Sequence, residues 1–236
     1  MLYDSQNSKS ARPGSIAGPL VLRDMRGLHD LRKVIWTGPT QSSDIIHVEE
    51  QNVRLMLLVE KHTIFERLRV DGFPERNNCL LATGGGFPGR AFRAALHTIH
   101  AQLRVPLYVL ADNDPAGYEL FFLLSRGAGF AEKESTEHAI PSAVFLGLRA
   151  EHVERYGLDD RVRIKLTSDE RIALKRLQKR SWLAHENEWQ NETDALLNRG
   201  SKVEVEAFCF LSLPFLAETY LPERLNAGDH LRLMRS

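Results

Sequence analysis

The sequence lacks the features that would place the protein in a membrane or in a secretory pathway. It contains no apolar run close to the ~20 residues that a transmembrane helix needs. Residues 1–18 are polar and lack the apolar core of a secretory signal. Cysteine is scarce, and since Cys79 and Cys209 lie far apart in apolar surroundings, we expect two buried free thiols. These absences favour a cytosolic or nuclear protein without a membrane partner.

Net charge is also absent, because the 31 lysines and arginines equal the 31 aspartates and glutamates among 236 residues. The chain as a whole therefore has no electrostatic drive toward nucleic acid, and any contact with DNA must come from local basic patches. Hydrophobic residues make up 43% of the sequence. That share is enough for a sizeable core in one large domain or two small ones.

Short apolar runs alternate with amphipathic stretches between residues 53 and 150. Unbroken apolar runs of this length are typical of strands that are buried on both faces, as in a parallel sheet. The predicted fold class is therefore α/β, a four-stranded parallel sheet core flanked by helices. The predicted strands are Leu55–Glu60, Cys79–Thr83, Leu107–Ala111 and Ala143–Leu148, and the predicted helices are Thr63–Arg69, Arg90–Leu103 and Pro115–Arg126.

The segments on either side of this core have a different composition. Residues 1–52 are predicted to be a connector that is flexible over residues 1–18 and looped over Thr37–Ser43, with short strands at Gly18–Leu22 and Ile45–Val48. Residues 151–236 are predicted to be a mostly helical C-terminal part. Its expected helices are Thr167–Arg180, which opens on a capping box, Glu186–Leu197, and Lys202–Leu221 with a kink at Pro214.

Three carboxylates follow two of the predicted strands. Glu60 ends the first strand, and Asp112 and Asp114 follow the third one. Ligands of open α/β sheets lie at the carboxyl ends of the strands, so we expect the three side chains to converge at one edge. Such oxygen ligands suit Mg²⁺, which offsets the charge that phosphodiester chemistry develops. The alternative is that Asp112 and Asp114 are ordinary turn and N-cap residues and Glu60 is a solvated strand end.

Basic and glycine residues accompany these carboxylates at the same predicted edge. Lys61 follows Glu60, and Arg93 lies in the first turn of the helix after the loop 84–86, so both are candidates for contact with DNA phosphate. The backbone N–H groups of that glycine loop suit a phosphate, although no Gly-Lys-Ser/Thr of the Walker pattern follows. A plain turn and two solvated basic side chains are the alternatives.

The motifs in combination resemble one protein family. They are Val59-Glu-Lys61, Thr83-Gly-x-Gly-Phe-Pro88, Arg93 and Asp112-Asn-Asp-Pro-x-Gly117. This set resembles the Toprim fold and, more narrowly, the A subunit of DNA topoisomerase VI and its eukaryotic relative, the meiotic double-strand-break transesterase. The later segment Tyr220-Leu-Pro222 is more similar to the meiotic branch. The resemblance covers nearly the whole chain.

The resemblance implies a homodimeric enzyme that cuts both strands of DNA by transesterification. In this family a tyrosine forms a covalent 5′-phosphotyrosyl link, and a Toprim site that holds Mg²⁺ or Mn²⁺ assists it. The metal ligands of the family match Glu60, Asp112 and Asp114. Further implied partners are double-stranded DNA, an ATPase-type B subunit or accessory recombination proteins. The implied location is the nucleus, or the cytoplasm in a prokaryote.

The family's nucleophilic tyrosine belongs to a winged-helix domain that precedes the Toprim half. This chain begins where that domain should have ended, and Tyr3 lies outside the expected Tyr-Tyr context. We therefore expect no catalytic residue in this chain and no cleavage by this chain alone. Gly85 and Gly89 replace a lysine and an aspartate of the family loop, and His62 stands where an aspartate is common. The alternatives are a noncatalytic dimerisation or DNA-binding homologue, an archaeal-type A subunit of topoisomerase VI, and a Toprim nuclease.

Overall fold

The structure, a computed structural model, describes residues 13–38, 45–127, 136–212, 214–228 and 230–233. Its strands are β1 (Ser15–Ala17), β2 (Leu20–Asp24), β3 (Gly27–Asp30), β4 (Trp36–Thr37), β5 (His47–Gln51), β6 (Leu55–Val59), β7 (Cys79–Thr83), β8 (Leu107–Leu110), β9 (Val144–Phe145), β10 (Arg163–Lys165) and β11 (Ser201–Val203). Its α-helices are α1 (His62–Val70), α2 (Phe73–Asn77), α3 (Arg90–Leu103), α4 (Pro115–Arg126), α5 (Ala150–Arg155), α6 (Ser168–Gln178), α7 (Asn187–Arg199) and α8 (Leu221–Ala227).

Four parallel strands form the centre of the main sheet. β6 pairs with β7 on one side and with β8 on the other, and β8 pairs with β9. Leu58 of β6 therefore lies opposite Ala82 in one direction and Val109 in the other. This arrangement confirms the predicted α/β class and the four-stranded parallel core. The fourth strand is shorter than predicted, since only Val144–Phe145 pair with β8.

Both faces of this sheet are covered, and alternate residues of β6 enter different cores. Met56 and Leu58 belong to one core, together with α3 and α4, whereas Leu57 and Val59 belong to the other, together with α1. All four side chains are fully buried. Successive side chains of a strand point to opposite faces, so a strand that is buried on both faces needs an unbroken apolar run.

Two further strands extend the main sheet, and the sequence did not predict them. β1 pairs antiparallel with β7 and β4 pairs antiparallel with β1, which gives the order β4-β1-β7-β6-β8-β9. The prediction of a flexible lead-in over residues 1–18 is therefore wrong for Ser15–Ala17, while residues 1–12 lie outside the described residues. A strand of three residues between glycines is too short to show a periodic pattern.

A second sheet has three antiparallel strands in the order β3-β2-β5. The strands predicted at Gly18–Leu22 and Ile45–Val48 correspond to β2 and β5, each of which begins two residues later than predicted, and β3 was not predicted. The predicted loop over Thr37–Ser43 begins inside β4, and residues 39–44 lie outside the described residues. Boundaries of short strands depend on their pairing partners, which the local sequence does not contain.

The segment after Gly200 is not the kinked helix predicted for Lys202–Leu221. β11 pairs antiparallel with β10, a 3₁₀ helix follows at Val205–Phe210, and a π-helical turn at Leu216–Tyr220 leads into α8. Polar and apolar residues alternate from Lys202 to Glu206, where the two valines are buried. This period of two is typical of extended chain and is the signal that the helix prediction overlooked.

The described residues include both cysteines and test the prediction that their thiols are buried. Cys79 is buried in β7, as predicted, and burial raises the pKa of its thiol. Cys209 is exposed, so the prediction of a second buried thiol is wrong. Within the described ranges, no helix is long and apolar enough to cross a bilayer. The domain boundaries at residues 52 and 150 stay a prediction.

Trp189 on α7 is the centre of an aromatic core that packs against α4. Its ring centroid lies 4.7 Å from that of Phe122, 5.1 Å from that of Phe145 and 5.2 Å from that of Phe121. We expect Trp189→Ala to lower the free energy of unfolding by about 3–5 kcal/mol, because the change removes a fully buried ring and leaves a cavity. Urea unfolding followed by circular dichroism measures this loss.

Ile172→Ala is the matched control, because Ile172 on α6 is 47% exposed. We expect this change to shift the free energy of unfolding by less than about 0.5 kcal/mol. A loss in Trp189→Ala no larger than that in Ile172→Ala would contradict the assignment of Trp189 to the core.

Candidate metal centre

The pairing of β6 with β8 places the predicted carboxylates at one edge of the sheet. Glu60 follows the last residue of β6, and its backbone N–H donates to the carbonyl of Leu110 at 3.0 Å. Asp112 lies two residues beyond β8, and its backbone N–H donates to Oε2 of Glu60 at 3.1 Å. The side chain of Glu60 and the backbone of Asp112 are therefore in direct contact.

Asp114 occupies the N-cap of α4, as the sequence predicts for an aspartate before Pro115. Its Oδ1 accepts from the backbone N–H of Gly117 at 2.7 Å, so one carboxylate oxygen is used in the cap. A Cβ on Gly117 would lie 2.5 Å from the carbonyl oxygen of Asp112. Glycine at this position is what allows the first turn of α4 to pack back against the loop that carries both aspartates.

Asp112 is 3% exposed, and both of its carboxylate oxygens have partners. Oδ1 accepts from the backbone N–H of Val205 at 2.7 Å. Oδ2 lies 2.9 Å from Nζ of Lys61. The loop after β8 therefore meets two other parts of the chain: the start of α1 and the segment after β11.

Lys61 is shared by three carboxylates. Besides Asp112, its Nζ lies 2.8 Å from Oε2 of Glu206 and 3.0 Å from Oε2 of Glu204. The sequence reasoning did not single out these two glutamates as site residues, because it assigned their segment to a helix. A second lysine is also shared between carboxylates: Nζ of Lys202 lies 3.9 Å from Oδ2 of Asp114 and 2.6 Å from Oε1 of Glu170.

Asn113 explains why the segment after β11 reaches this edge. Its backbone N–H donates to the carbonyl of Val203 at 2.9 Å, and this isolated bridge joins β11 to the loop after β8. Its fully buried side chain donates to Tyr118 at 2.6 Å and to Oε1 of Glu192 at 3.0 Å, and it accepts from the guanidinium of Arg199. This buried network fixes the position of Asn113 and thereby of the loop that carries Asp112 and Asp114.

Burial and mutual repulsion disfavour ionisation of the carboxylates. Burial, followed by the charges of Asp112 and Asp114, raises the pKa of Glu60 to about 7. Burial raises the pKa of Asp112 to about 6, although Lys61 acts in the opposite direction. Burial also raises the pKa of Asp114. These carboxyl groups are therefore protonated more readily than exposed ones when no cation other than the lysines faces them.

Among the residues that the structure describes, no three His, Cys, Asp or Glu side chains are arranged as a ready-made metal cluster. Asp112 instead faces Lys61, and Oδ1 of Asp114 caps α4. The donor chemistry nevertheless fits a hard divalent cation, because the charges of Asp112 and Asp114 add to the effect of burial on the pKa of Glu60 and the three carboxylates are therefore near one another. A metal cage here requires the side chain of Lys61 to leave Asp112.

The Toprim domain of the family formed by the topoisomerase 6 A subunit and Spo11 matches residues 55–225, a span that begins with β6 and includes all three carboxylates. The chain belongs to this family. The resemblance predicted from the motifs is thereby confirmed.

Relatives from both branches of the family are similar to this chain. The meiotic recombination protein SPO11-1 of Oryza sativa subsp. indica is 34% identical over 177 residues, 75% of this chain and 46% of that protein. The SPO11-1 protein of Arabidopsis thaliana is 31% identical over 184 residues, 78% of this chain and 50% of that protein. The A subunit of type 2 DNA topoisomerase 6 from Aeropyrum pernix is 30% identical over 233 residues, 93% of this chain and 59% of that protein.

These figures bear on the branch and on the extent of the match. Identity is higher with the rice meiotic protein than with the archaeal topoisomerase protein, in agreement with the predicted similarity to the meiotic branch. The chain spans between 46% and 59% of the length of these relatives.

The glycine loop of this Toprim domain is tied directly to the carboxylate edge. The backbone N–H of Gly86 donates to the carbonyl of Glu60 at 2.8 Å, and that of Gly85 donates to Oγ1 of Thr83 at 3.0 Å. Arg93 lies in the first turn of α3, and burial and the charge of Arg90 lower its pKa. Its Nε is buried and has no hydrogen-bond acceptor among the described residues.

The pKa of Glu60 predicts how stability depends on pH in metal-free buffer. Its pKa of about 7 in the folded chain exceeds the ordinary value of 4.5, so the folded chain binds more protons between these values. Stability therefore falls as pH rises from the lower value through the higher one. We expect Glu60→Gln to be more stable than the unaltered chain by about 2 kcal/mol at about pH 8, and by much less at about pH 5.

Urea unfolding of both proteins at the two pH values, with a chelator present, measures this difference. Asp169→Asn serves as the control, because Asp169 is an exposed residue at the start of α6. A difference between Glu60→Gln and the unaltered chain that is the same at both pH values would contradict the raised pKa.

Proposed function

We propose that this chain is the metal-binding Toprim part of a type IIB topoisomerase-like protein, which makes DNA double-strand breaks by transesterification and thereby initiates meiotic recombination. The observation that carries the proposal is the position of Glu60, Asp112 and Asp114 at the ends of adjacent parallel strands. The names of the plant and archaeal relatives supply the reaction class.

The proposed cofactor is Mg²⁺ or Mn²⁺, held by Glu60, Asp112 and Asp114. Such an ion stabilises the charge that develops on phosphate and leaving-group oxygens. The residues of this chain contribute position and environment. Asn113 and Val205 hold the loop and the carboxylate of Asp112, and burial of that carboxylate keeps bulk water away.

Three of the four tyrosines that the structure describes are poor candidates for the nucleophile, because they are buried or hydrogen-bonded within the fold. Tyr118 and Tyr220 are fully buried, and burial raises the pKa of both phenols. The hydroxyl of Tyr156 donates to a glutamate, and the ring of Tyr108 packs edge-on against a histidine. Tyr3 lies outside the described residues. These placements support a nucleophilic tyrosine that this site receives from elsewhere.

The proposed partner is double-stranded DNA, contacted through phosphate by Arg93 and Lys61. Arg93 supports this proposal through its position in the first turn of α3, which follows the glycine loop. Lys61 reaches phosphate only after it leaves Asp112. A homodimer, association with an ATPase-type B subunit or accessory recombination proteins, and a nuclear location complete the proposal.

Metal titration tests the proposed ligands. We expect the unaltered chain to bind Mn²⁺ measurably by isothermal titration calorimetry, and Glu60→Gln and Asp112→Asn to bind it on the order of ten-fold more weakly, because each loses a charged oxygen ligand. Asp169→Asn is the matched control and should bind as the unaltered chain does. Equal affinity in all four proteins would contradict the ligand assignment.

Arg93→Gln tests the DNA contact. We expect weaker binding of duplex DNA and a salt dependence whose slope is smaller by about one, because one phosphate contact is lost. Fluorescence anisotropy at several salt concentrations measures both quantities. Arg176→Gln is the control, since Arg176 is exposed on α6 away from the glycine loop in sequence. The same slope in both variants would refute a specific role for Arg93.

A noncatalytic dimerisation or DNA-binding homologue is the second candidate function, and an archaeal-type A subunit of topoisomerase VI is a separate alternative. Two observations favour the noncatalytic homologue: Gly85 and Gly89 lack the charges of the family loop, and Lys61 already neutralises Asp112. DNA binding that depends on Arg93, together with no measurable metal affinity in the unaltered chain, would support this candidate over the first.

A further inference from the structure

Lys61 forms an ion pair with Oδ2 of Asp112, the oxygen that a metal ion at this edge of the sheet would bind. Its Nζ lies 2.9 Å from Oδ2 of Asp112, while Oδ1 of Asp112 is already held by the backbone N–H of Val205. Oδ2 is therefore the carboxylate oxygen that becomes available to a metal ion when Lys61 moves away. The ammonium group and the metal compete for one position.

The surroundings of Lys61 provide a second place for its charge. Nζ contacts Glu204 at 3.0 Å and Glu206 at 2.8 Å, and these two carboxylates are 42% and 35% exposed, whereas that of Asp112 is 5% exposed. An ammonium group has three N–H donors, and here each has a carboxylate within reach. Lys61 can thus lose its buried partner and keep its two exposed ones.

The backbone at Lys61 is fixed, and the side chain is the part that can move. Lys61 is the N-cap of α1, its backbone is extended, and its carbonyl accepts from the N–H of Phe65 at 3.1 Å. The four-carbon stem has rotatable bonds throughout, so Nζ can shift by several bond lengths without a backbone change. The residues around its side chain include Glu60, Ile64, Leu110, Asp112 and Val205.

We propose that Lys61 is a tethered cation that occupies the metal position at Asp112 in the metal-free protein and is exchanged for a divalent ion, after which Glu204 and Glu206 retain it. The inference rests on the proposed function, since it concerns the same metal site. Lys61 is in this view a positioning residue, which keeps the carboxylate edge compact without metal and sets the metal concentration at which the site fills.

Exchange follows from the charges at the edge. Without a divalent ion, Lys61 is the cation nearest to Asp112 and compensates the burial of its carboxylate. With a divalent ion bound at Asp112, an ammonium group at the same oxygen would be repelled by a like charge at short range. The two exposed glutamates lower the cost of that displacement, and they leave the ammonium group at the solvent side of the edge, where phosphate can reach it.

Mn²⁺ titration of charge variants tests the exchange, with affinity measured by calorimetry and free Mn²⁺ counted by electron paramagnetic resonance. We expect Lys61→Met to bind Mn²⁺ on the order of ten-fold more tightly than the unaltered chain, because the competitor is gone. Lys61→Arg keeps the competing charge and should bind about as the unaltered chain does. Lys175→Met is the matched control, and should change affinity by less than about three-fold, because Lys175 is exposed on α6 and makes no contact with the proposed ligands among the described residues.

Glu206→Gln separates retention of Lys61 from general loss of negative charge. In the unaltered background it should weaken Mn²⁺ binding, because displaced Lys61 then has one exposed partner fewer. In the Lys61→Met background the same change should have a clearly smaller effect. An equal effect of Glu206→Gln in both backgrounds would overturn the retention step.

Equal or weaker Mn²⁺ binding by Lys61→Met than by the unaltered chain would overturn the exchange, and would assign Lys61 to holding Asp112 in place. Should Lys61→Met fail to fold in chelator, Lys61→Gln replaces it with the same expectation. Failure of the proposed function has another signature: Asp112→Asn then binds Mn²⁺ as well as the unaltered chain does, whatever the result for Lys61.

Discussion

Glu60 and Asp112 are forced together because β6 and β8 are parallel neighbours whose carboxyl ends meet. The backbone of one residue bonds the side chain of the other at 3.1 Å, and burial raises the pKa of both carboxyl groups. Buried carboxylates are costly unless cations or hydrogen-bond donors face them. Lys61 and the N–H of Val205 meet this requirement at Asp112. The segment after β11 therefore helps to satisfy Asp112, because it brings the N–H of Val205 to the carboxylate and Glu204 and Glu206 to Lys61.

The sequence was informative where one segment contains its own signal. Unbroken apolar runs marked the parallel strands, and Asp114 before Pro115 marked the start of α4. It was uninformative where the signal lies in a distant partner. β1 forms by pairing with the edge of β7, and the segment after Gly200 is extended where β11 pairs with β10 and Val203 bridges to Asn113. Propensity and periodicity do not contain these long-range pairings.

The candidate site also contains residues with a local sequence signal and residues whose position depends on a distant partner. Glu60, Asp112 and Asp114 were identifiable because each follows a recognisable strand, and family membership now rests on residues 55–225. Glu204 and Glu206 were not identified, because their role depends on the tertiary position of a segment predicted as helix. The alternation of charged residues and valines from Lys202 to Glu206 was present in the sequence and would have favoured extended chain.

We propose that this edge of the sheet exchanges the ammonium group of Lys61 for a divalent ion. A crystal structure of the chain grown with Mn²⁺, with the ion located by anomalous scattering, tests it most directly. We expect an ion about 2.1 Å from carboxylate oxygens of Glu60 and Asp112, with Nζ of Lys61 moved from Asp112 to Glu204 and Glu206. An edge without an ion, or an ion bound while Lys61 still contacts Oδ2 of Asp112, would contradict it.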